Sequence, residues 1–214
     1  DKSFELIIDE LLLKTKGLKD IVDVDIVCKK LRVFKRRLCL IIAIADICKI
    51  WTLEKVTMEL TKFADLALEI AFDAIAIDYS RGKKKKEFDV KFGNNSLVKA
   101  KDMGLIIIGM GKMGAFELNY SSDIDFNVFY DSSIYTHSEL FIFQPILVDI
   151  TKDVIKFMSE KNEEGYIFRC DLRLRPEPSI NPICLSIKFA LEYYEQKGRT
   201  WERSAYIKAR PVAG

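Results

Sequence analysis

Histidine is almost missing from this sequence: one residue, His137, in 214. That excludes a histidine-rich metal site and weakens any Ser-His or Cys-His nucleophile arrangement. His137 lies in the polar stretch "DSSIYTHSE" and reads as a solvated loop residue. Cysteine is scarce and unpaired: five residues, Cys28, Cys39, Cys48, Cys170 and Cys184, an odd count with no C-x-x-C spacing. They read as buried free thiols in a reducing, cytoplasmic setting. Charge of one sign is not in excess, the net value being +2. The chain therefore carries no strong electrostatic footprint for nucleic acid or a membrane surface. Long apolar runs are missing too: "LCLIIAIA" (Leu38 to Ala45) is far too short to span a bilayer. "DKSFELIIDE" at the start mixes acids with apolar residues and has no signal-peptide pattern. What remains for chemistry is carboxylates, lysines, arginines and backbone groups.

The length suits one large domain or two small ones. The first part reads helical. "LRVFKRRLCLIIAIADICKI" has no Gly or Pro, and its apolar run predicts a helix buried on most sides. Thr52 can cap a second helix, with Glu54 in its first turn. Val56, Leu60, Phe63, Ala67, Ile70, Ala74 and Ile77 then define one helix face, ending near Tyr79. "SRGKKKKEFDVKFGNNS" breaks the pattern. Gly82, Gly93 and Asn94-Asn95 signal turns, and Lys83 to Lys86 reads as a solvated loop. Beyond it strands and helices mix. "GLIIIGM" and "IDFNVFY" read as strands, and "ELFIFQPILVDITKDVIKFMSE" as a helix with Pro145 in its first turns. "GYIFRCDLRLRP" reads as a third strand by alternation. Ser186 caps "IKFALEYYEQKG", closed by Gly198, and "TWERSAYIKAR" makes a last short helix. The expected fold class is α+β. A helical segment, 1–80, packs on a catalytic domain, 81–214, built on a small mixed sheet flanked by helices.

Two signatures share the segment "LIIIGMGKMGAFELNYSSDIDFNVFYD". Gly109, Gly111 and Gly114 fit the dinucleotide fingerprint G-x-G-x-x-G, and Asp131 falls about 20 residues on. Only "AFELNYSS" separates Gly114 from Asp123, about two helical turns, too little for a parallel crossover. A Walker A loop is excluded because Met113 follows Lys112. The second signature is "SSDIDF". On a strand Asp123 and Asp125 face the same side, their Cα atoms about 6.6 Å apart. Adjacent acids repel unless a cation sits between them, and hard oxygen ligands suit Mg²⁺. A solvated strand start is the competing reading. Small residues in "GKMGAF" and "SS" allow close backbone approach to a phosphate. Asp171, within "RCDLRLR", could complete a three-carboxylate metal site. Arg169, Arg173 and Arg175 share its face by alternation, either as phosphate ligands or as surface charge pairs.

A glycine-small pair, a D-x-D strand and a third acid on a later strand resemble the nucleotidyltransferases related to DNA polymerase β. "GMGKMGAFELNYSSDIDFNVFYD", "DLRLRPE" and "YYEQKGRTWERSAYIKARPVAG" resemble the bacterial glutamine synthetase adenylyltransferase/adenylyl-removing family, over roughly Leu31 to Gly214. "ELNYSSDID" and "GRTWERSAYIKAR" look like its N-terminal, adenylyl-removing copy. The resemblance implies that Asp123, Asp125 and Asp171 ligate Mg²⁺, with Asp171 also orienting or deprotonating the attacking oxygen. Gly114, Ser121 and Ser122 would hold phosphate oxygens, and Lys112, Arg173 and Arg175 would neutralise them. Lys208 and Arg210, read on an end-of-chain helix, are either further neutralisers or solvated. The implied reaction removes AMP from a tyrosine of glutamine synthetase by phosphorolysis, yielding ADP. The alternatives are ATP-dependent adenylylation and a non-catalytic remnant that only binds its partners. Implied partners are glutamine synthetase, the nucleotides ATP, ADP and AMP with phosphate, and a nitrogen-signalling PII protein through regions beyond this chain. The sequence departs from the family at Ala115, where Gly-Gly is usual, and at "RPEPS" in place of "RPEG". It stops at "ARPVAG", where the family continues, which implies an excised domain, a split gene or a relic.

Overall fold

The computed structural model describes residues 2–82, 84–94 and 97–214. Lys83 and Asn95, which belong to the anticipated lysine loop and turn, lie outside the described residues. Three helices come first: α1 (Lys2–Lys16), α2 (Val24–Ile47) and α3 (Leu53–Arg81). Thr52 caps α3 as expected, its side chain accepting from the Lys55 N–H. Each position of the predicted face, Val56, Leu60, Phe63, Ala67, Ile70, Ala74 and Ile77, is buried. Ala64, Leu68, Ala71, Phe72 and Ala76 are buried as well, so α3 is enclosed nearly all round.

The expectation that α2 is the helix buried on most sides is overturned. Val27, Leu31, Leu38, Ile42 and Ala45 face the core, but Leu40, Ile44 and Ile47 are exposed, Ile47 by 80%. Those three recur at i, i+4 and i+7, an apolar stripe on the side that α1 and α3 leave open. The lysine run is also different from expectation. Lys85 begins a helix, α4 (Lys85–Phe92), because Phe88 finds a buried seat against Phe92 and Phe143.

The sheet holds five strands: β1 (Leu105–Gly109), β2 (Ile124–Tyr130), β3 (Cys170–Asp171), β4 (Cys184–Ser186) and β5 (Arg210–Ala213). Its order is β3-β2-β1-β5, with β4 beside β2. β1 is antiparallel to β2 and β5, while β3 and β4 run parallel to β2. A four-residue helix, α5 (Gly111–Gly114), links β1 to the turn before β2. Antiparallel pairing of β1 with β2 rules out the dinucleotide fold, as the short spacing required. Asp131 accepts from the Ser133 N–H and closes a turn at the strand end.

Helix α6 (His137–Ser159) starts earlier than predicted. Thr136 and Glu139 form a reciprocal capping box that draws His137 into the first turn instead of a loop. Pro145 consequently lies well inside the helix. Helices α7 (Ile187–Gln196), capped by Ser186, and α8 (Thr200–Ala205) follow.

The predicted third strand shrinks to two residues. After Asp171 the chain turns, because the Asp171 carboxylate accepts from the Arg173 N–H. Two strands escaped prediction, β4 and β5. Arg210 starts β5 and does not lie on a helix.

One apolar cluster runs through helices and sheet alike. Phe126 of β2 meets Phe72 of α3 edge to face, and Phe63 packs against Phe168. The first eighty residues therefore share their core with the sheet. The architecture is α+β, a small mixed sheet flanked by helices. Among the described residues no helix is long and apolar enough to cross a membrane.

Candidate active site

On β2 the side chains alternate. Ile124, Phe126 and Val128 point into the core, and Asp123, Asp125 and Asn127 onto the opposite face. The parallel partner β3 places Asp171 level with Asp125 in the register. Asp125 thus sits between Asp123, just before its own strand, and Asp171 on the next. Its carboxyl is raised above the ordinary value by burial, then by the charges of Asp171 and Asp123. Lys112 and Arg173 oppose that rise, which places both cations within electrostatic reach.

The two flanking acids are occupied by arginines. Arg169 Nε donates to Asp123 Oδ1 at 2.5 Å, Nη2 to the Ser121 carbonyl at 2.6 Å and Nη1 to the Tyr166 hydroxyl at 3.2 Å. Arg173 donates to Asp171 Oδ2 through Nε at 2.8 Å and Nη2 at 2.5 Å, while its side chain is 84% exposed. That guanidinium holds the Asp171 carboxyl below the ordinary value. Among the described residues no three His, Cys, Asp or Glu side chains converge on one point. Adjacent carboxylates repel, and each of the outer two is paired with a guanidinium.

Arg175 is not part of this cluster. Its guanidinium donates to the carbonyls of Leu172, Pro178 and Pro182, pinning the 172–182 loop from inside. Asn127 holds the same loop, donating to the Leu174 carbonyl and to the Tyr206 hydroxyl. Gly114 also has another task than the one anticipated. Its N–H donates to the Met110 carbonyl, and a Cβ there would lie 1.9 Å from the Lys208 carbonyl oxygen. Only glycine lets the C-terminal segment lie across α5 at that point. The glycine facing the acids is Gly111, at φ +52°, where a Cβ would come within 2.8 Å of Asp125 Oδ2. Ser121 contributes its carbonyl to Arg169, and the Ser122 hydroxyl accepts from the Asn119 N–H within the turn.

Lys208 is paired with Glu117 at 2.7 Å on the surface. Arg210 bonds both carboxylate oxygens of Asp65 on α3, at 2.8 and 2.6 Å, and the carbonyls of Met113 and Gly114. It also stacks on Phe116 at 3.8 Å, a residue held at φ +60°. Arg210 therefore ties β5, α3 and the α5 turn together. Sequence reading grouped Arg169 with Arg173 and Arg175, as phosphate ligands or surface charge pairs, and missed the place of Gly111 against Asp125 and the Arg210–Asp65 pair. Gly111 had a signal, as the middle glycine of "GMGKMG". Asp65 had none, being one acid on a long helix.

Fold and acid placement together give an α+β domain that sets three carboxylates side by side at one end of a small mixed sheet. Residues 9–214 match the family model described as glutamate-ammonia ligase adenylyltransferase. The chain is 41% identical over 189 residues to the bifunctional glutamine synthetase adenylyltransferase/adenylyl-removing enzyme of Agrobacterium fabrum, covering 88% of this chain and 18% of that protein. The like-named enzyme of Rhodopseudomonas palustris strain TIE-1 is 42% identical over 191 residues, 89% of this chain and 19% of the relative. That of Xanthobacter autotrophicus is 43% identical over 188 residues, 88% of this chain and 18% of the relative. The chain belongs to the glutamate-ammonia ligase adenylyltransferase family and spans less than a fifth of the length of these relatives.

Proposed function

We propose that this chain carries an adenylyl-removing site, acting on a glutamine synthetase tyrosine that bears AMP. The observation that supports it is the register of Asp125 beside Asp171, with Asp123 on the same face and two guanidinium groups above them. The names of the relatives supply the substrate class, and the resemblance of "ELNYSSDID" and "GRTWERSAYIKAR" to the removing copy supplies the direction.

The donor set fits a hard divalent cation. It offers carboxylate oxygens, and the Asp125 carboxyl, raised first by burial and then by the Asp171 and Asp123 charges, is one whose ionised form a cation would favour. Asp123, Asp125 and Asp171 would hold Mg²⁺, which when bound supplies charge neutralisation around the reacting phosphorus. The rest falls to the chain. Lys112 and Arg173, one exposed on α5 and one exposed above Asp171, neutralise the incoming phosphate and the AMP phosphate. Ser121, Ser122 and Gly111 shape the turn against which the phosphates lie. Asp171 orients the attacking phosphate oxygen. That oxygen forms a bond to the AMP phosphorus as the phosphorus–tyrosine oxygen bond breaks. The phosphate's proton ends on the tyrosine hydroxyl, and the products are ADP and unmodified protein. Catalysis of this kind is positioning plus charge neutralisation.

The test is incubation of the purified chain and Mg²⁺ with AMP-modified glutamine synthetase, with and without phosphate. ADP released only with phosphate supports removal. AMP transfer from ATP onto the unmodified enzyme would replace this reading with the forward reaction, which the same acids can serve. Neither reaction, together with unchanged metal and nucleotide binding in Asp123→Asn and Asp125→Asn, would leave a domain that only binds.

A further inference from the structure

Arg169 is an exposed arginine with several partners. Three of its donors are engaged at once: with the Asp123 carboxylate, the Ser121 carbonyl and the Tyr166 hydroxyl. Its guanidinium carbon lies 5.8 Å from the Tyr166 ring centre. Tyr166 is in turn fixed from α2. The Lys35 ammonium sits 4.5 Å from the Tyr166 ring centre and 4.6 Å from that of Phe168. Phe168 is buried against Phe63 of α3. The chain of contacts thus runs from the helical layer, through two aromatic rings, to the guanidinium on Asp123. The backbone joins in: Ile124 N–H donates to the Arg169 carbonyl, so Arg169 is anchored level with the acids whichever way its side chain turns.

We propose that Arg169 is a built-in counter-cation of the site. It neutralises Asp123 while no divalent ion is bound, and it competes with that ion for the carboxylate. This rests on the reading of Asp123 as a metal ligand. The arrangement has a physical purpose. Three carboxylates on one face would push each other away, and Arg169 keeps Asp123 placed beside β3 until a stronger cation displaces it. Asp123 is 46% exposed and Arg169 52% exposed, so the pair is open to solvent and exchange is inexpensive. Arg173 on Asp171 is the looser counterpart, since its side chain is 84% exposed.

The experiment is Mn²⁺ binding to the full chain, without nucleotide, read by the loss of the free-ion electron paramagnetic resonance signal. Arg169→Gln removes the competitor and is expected to bind Mn²⁺ about fivefold tighter. Arg169→Lys keeps a positive charge and is expected to stay within about twofold of the parent. Circular dichroism checks that each variant is folded. If Arg169→Gln does not fold, Tyr166→Phe serves instead, because it frees Nη1 and leaves the ring; about twofold tightening is expected. A folded Arg169→Gln protein that binds Mn²⁺ no tighter than the parent, or more weakly, overturns the proposal. So does equal tightening in the Gln and Lys variants, since charge would then not be what competes. If neither the parent nor any variant binds Mn²⁺, the metal-site reading itself is what fails.

Discussion

The two faces of β2 differ most at its N-terminal end. Ile124, Phe126 and Val128 are sealed against the helical layer, and the alternate residues Asp123 and Asp125 look out on arginines. One short strand serves both the core and the acid cluster because the pleat sends successive side chains to opposite sides. The apolar face gains stability from burial. The acidic face costs stability, since like charges are gathered there before anything neutralises them. Neighbouring substitutions should therefore fail in opposite ways.

The largest effect is expected at Asp125. Altering an outer partner of a metal ligand already costs about 10–100-fold, so Asp125→Asn should lower the phosphorolysis rate by about a thousandfold or more. Its stability should move the other way. The folded carboxyl titrates above its unfolded value, so at neutral pH the ionised form opposes folding, and an amide removes that opposition. Denaturant melts at pH 7 should show the variant equal to or more stable than the parent. Loss of both activity and stability would erase the contrast between the faces.

One residue along, Phe126→Ala should do the reverse. Phe126 is 1% exposed and meets Phe72 edge to face at 6.4 Å. Deleting such a ring costs about 3–5 kcal/mol. Whatever fraction remains folded should keep nearly the parent turnover, as measured by activity per folded molecule.

A third test concerns the seam between the faces, at Asp65 and Arg210. Burial outweighs the adjacent guanidinium and pushes the Asp65 carboxyl from 3.8 up to about 6. A raised folded value means the protonated form favours folding. That contribution is full below about pH 3.8 and is lost as pH rises through about 6. The fall is at most about 3 kcal/mol, less what solvent access removes. Asp65→Asn should flatten the stability profile between pH 4 and 6 by that amount. A constant offset at all pH values is also expected, because Arg210 loses its partner. A variant profile parallel to the parent's throughout would show that Asp65 titrates alike in the folded and unfolded states.

How far the sequence reveals this arrangement depends on how local the signal is. β2 was legible to the residue, because its aromatic and β-branched content marks a strand over seven positions. The periodic face of α3 and the caps at Thr52 and Ser186 were equally clear. β4 and β5 were not, since three and four residues carry too little periodicity and form only because β2 and β1 offer them edges. The burial of α2 was overestimated for a related reason. An apolar run shows that a helix can be buried all round, but its neighbours decide which sides are. In the site, the acids were legible from the D-x-D spacing and the family resemblance. The roles of Arg173 and Arg175 were not separable by alternation. The turn at Asp171 ends the strand and sends one guanidinium to the acids and the other into the loop.

The smallest expected effect is also the most discriminating, at Gly111. Its φ of +52° disfavours any L side chain, and an added Cβ would press on Asp125 Oδ2 at 2.8 Å. The backbone part should cost about 1 kcal/mol. The clash adds a second cost, either in stability or in a displaced carboxylate. Gly111→Ala should therefore lose about tenfold in phosphorolysis and about 1–2 kcal/mol in stability. A double-mutant cycle separates the two costs. In an Asp125→Ala background the carboxylate is absent, so the added methyl meets nothing there and only the backbone cost should remain. If Gly111→Ala costs the same stability in both backgrounds, Gly111 serves the turn alone. If the cost shrinks when Asp125 is truncated, the glycine is there to make room for the central acid, and the middle position of "GMGKMG" belongs to the site and not to the loop.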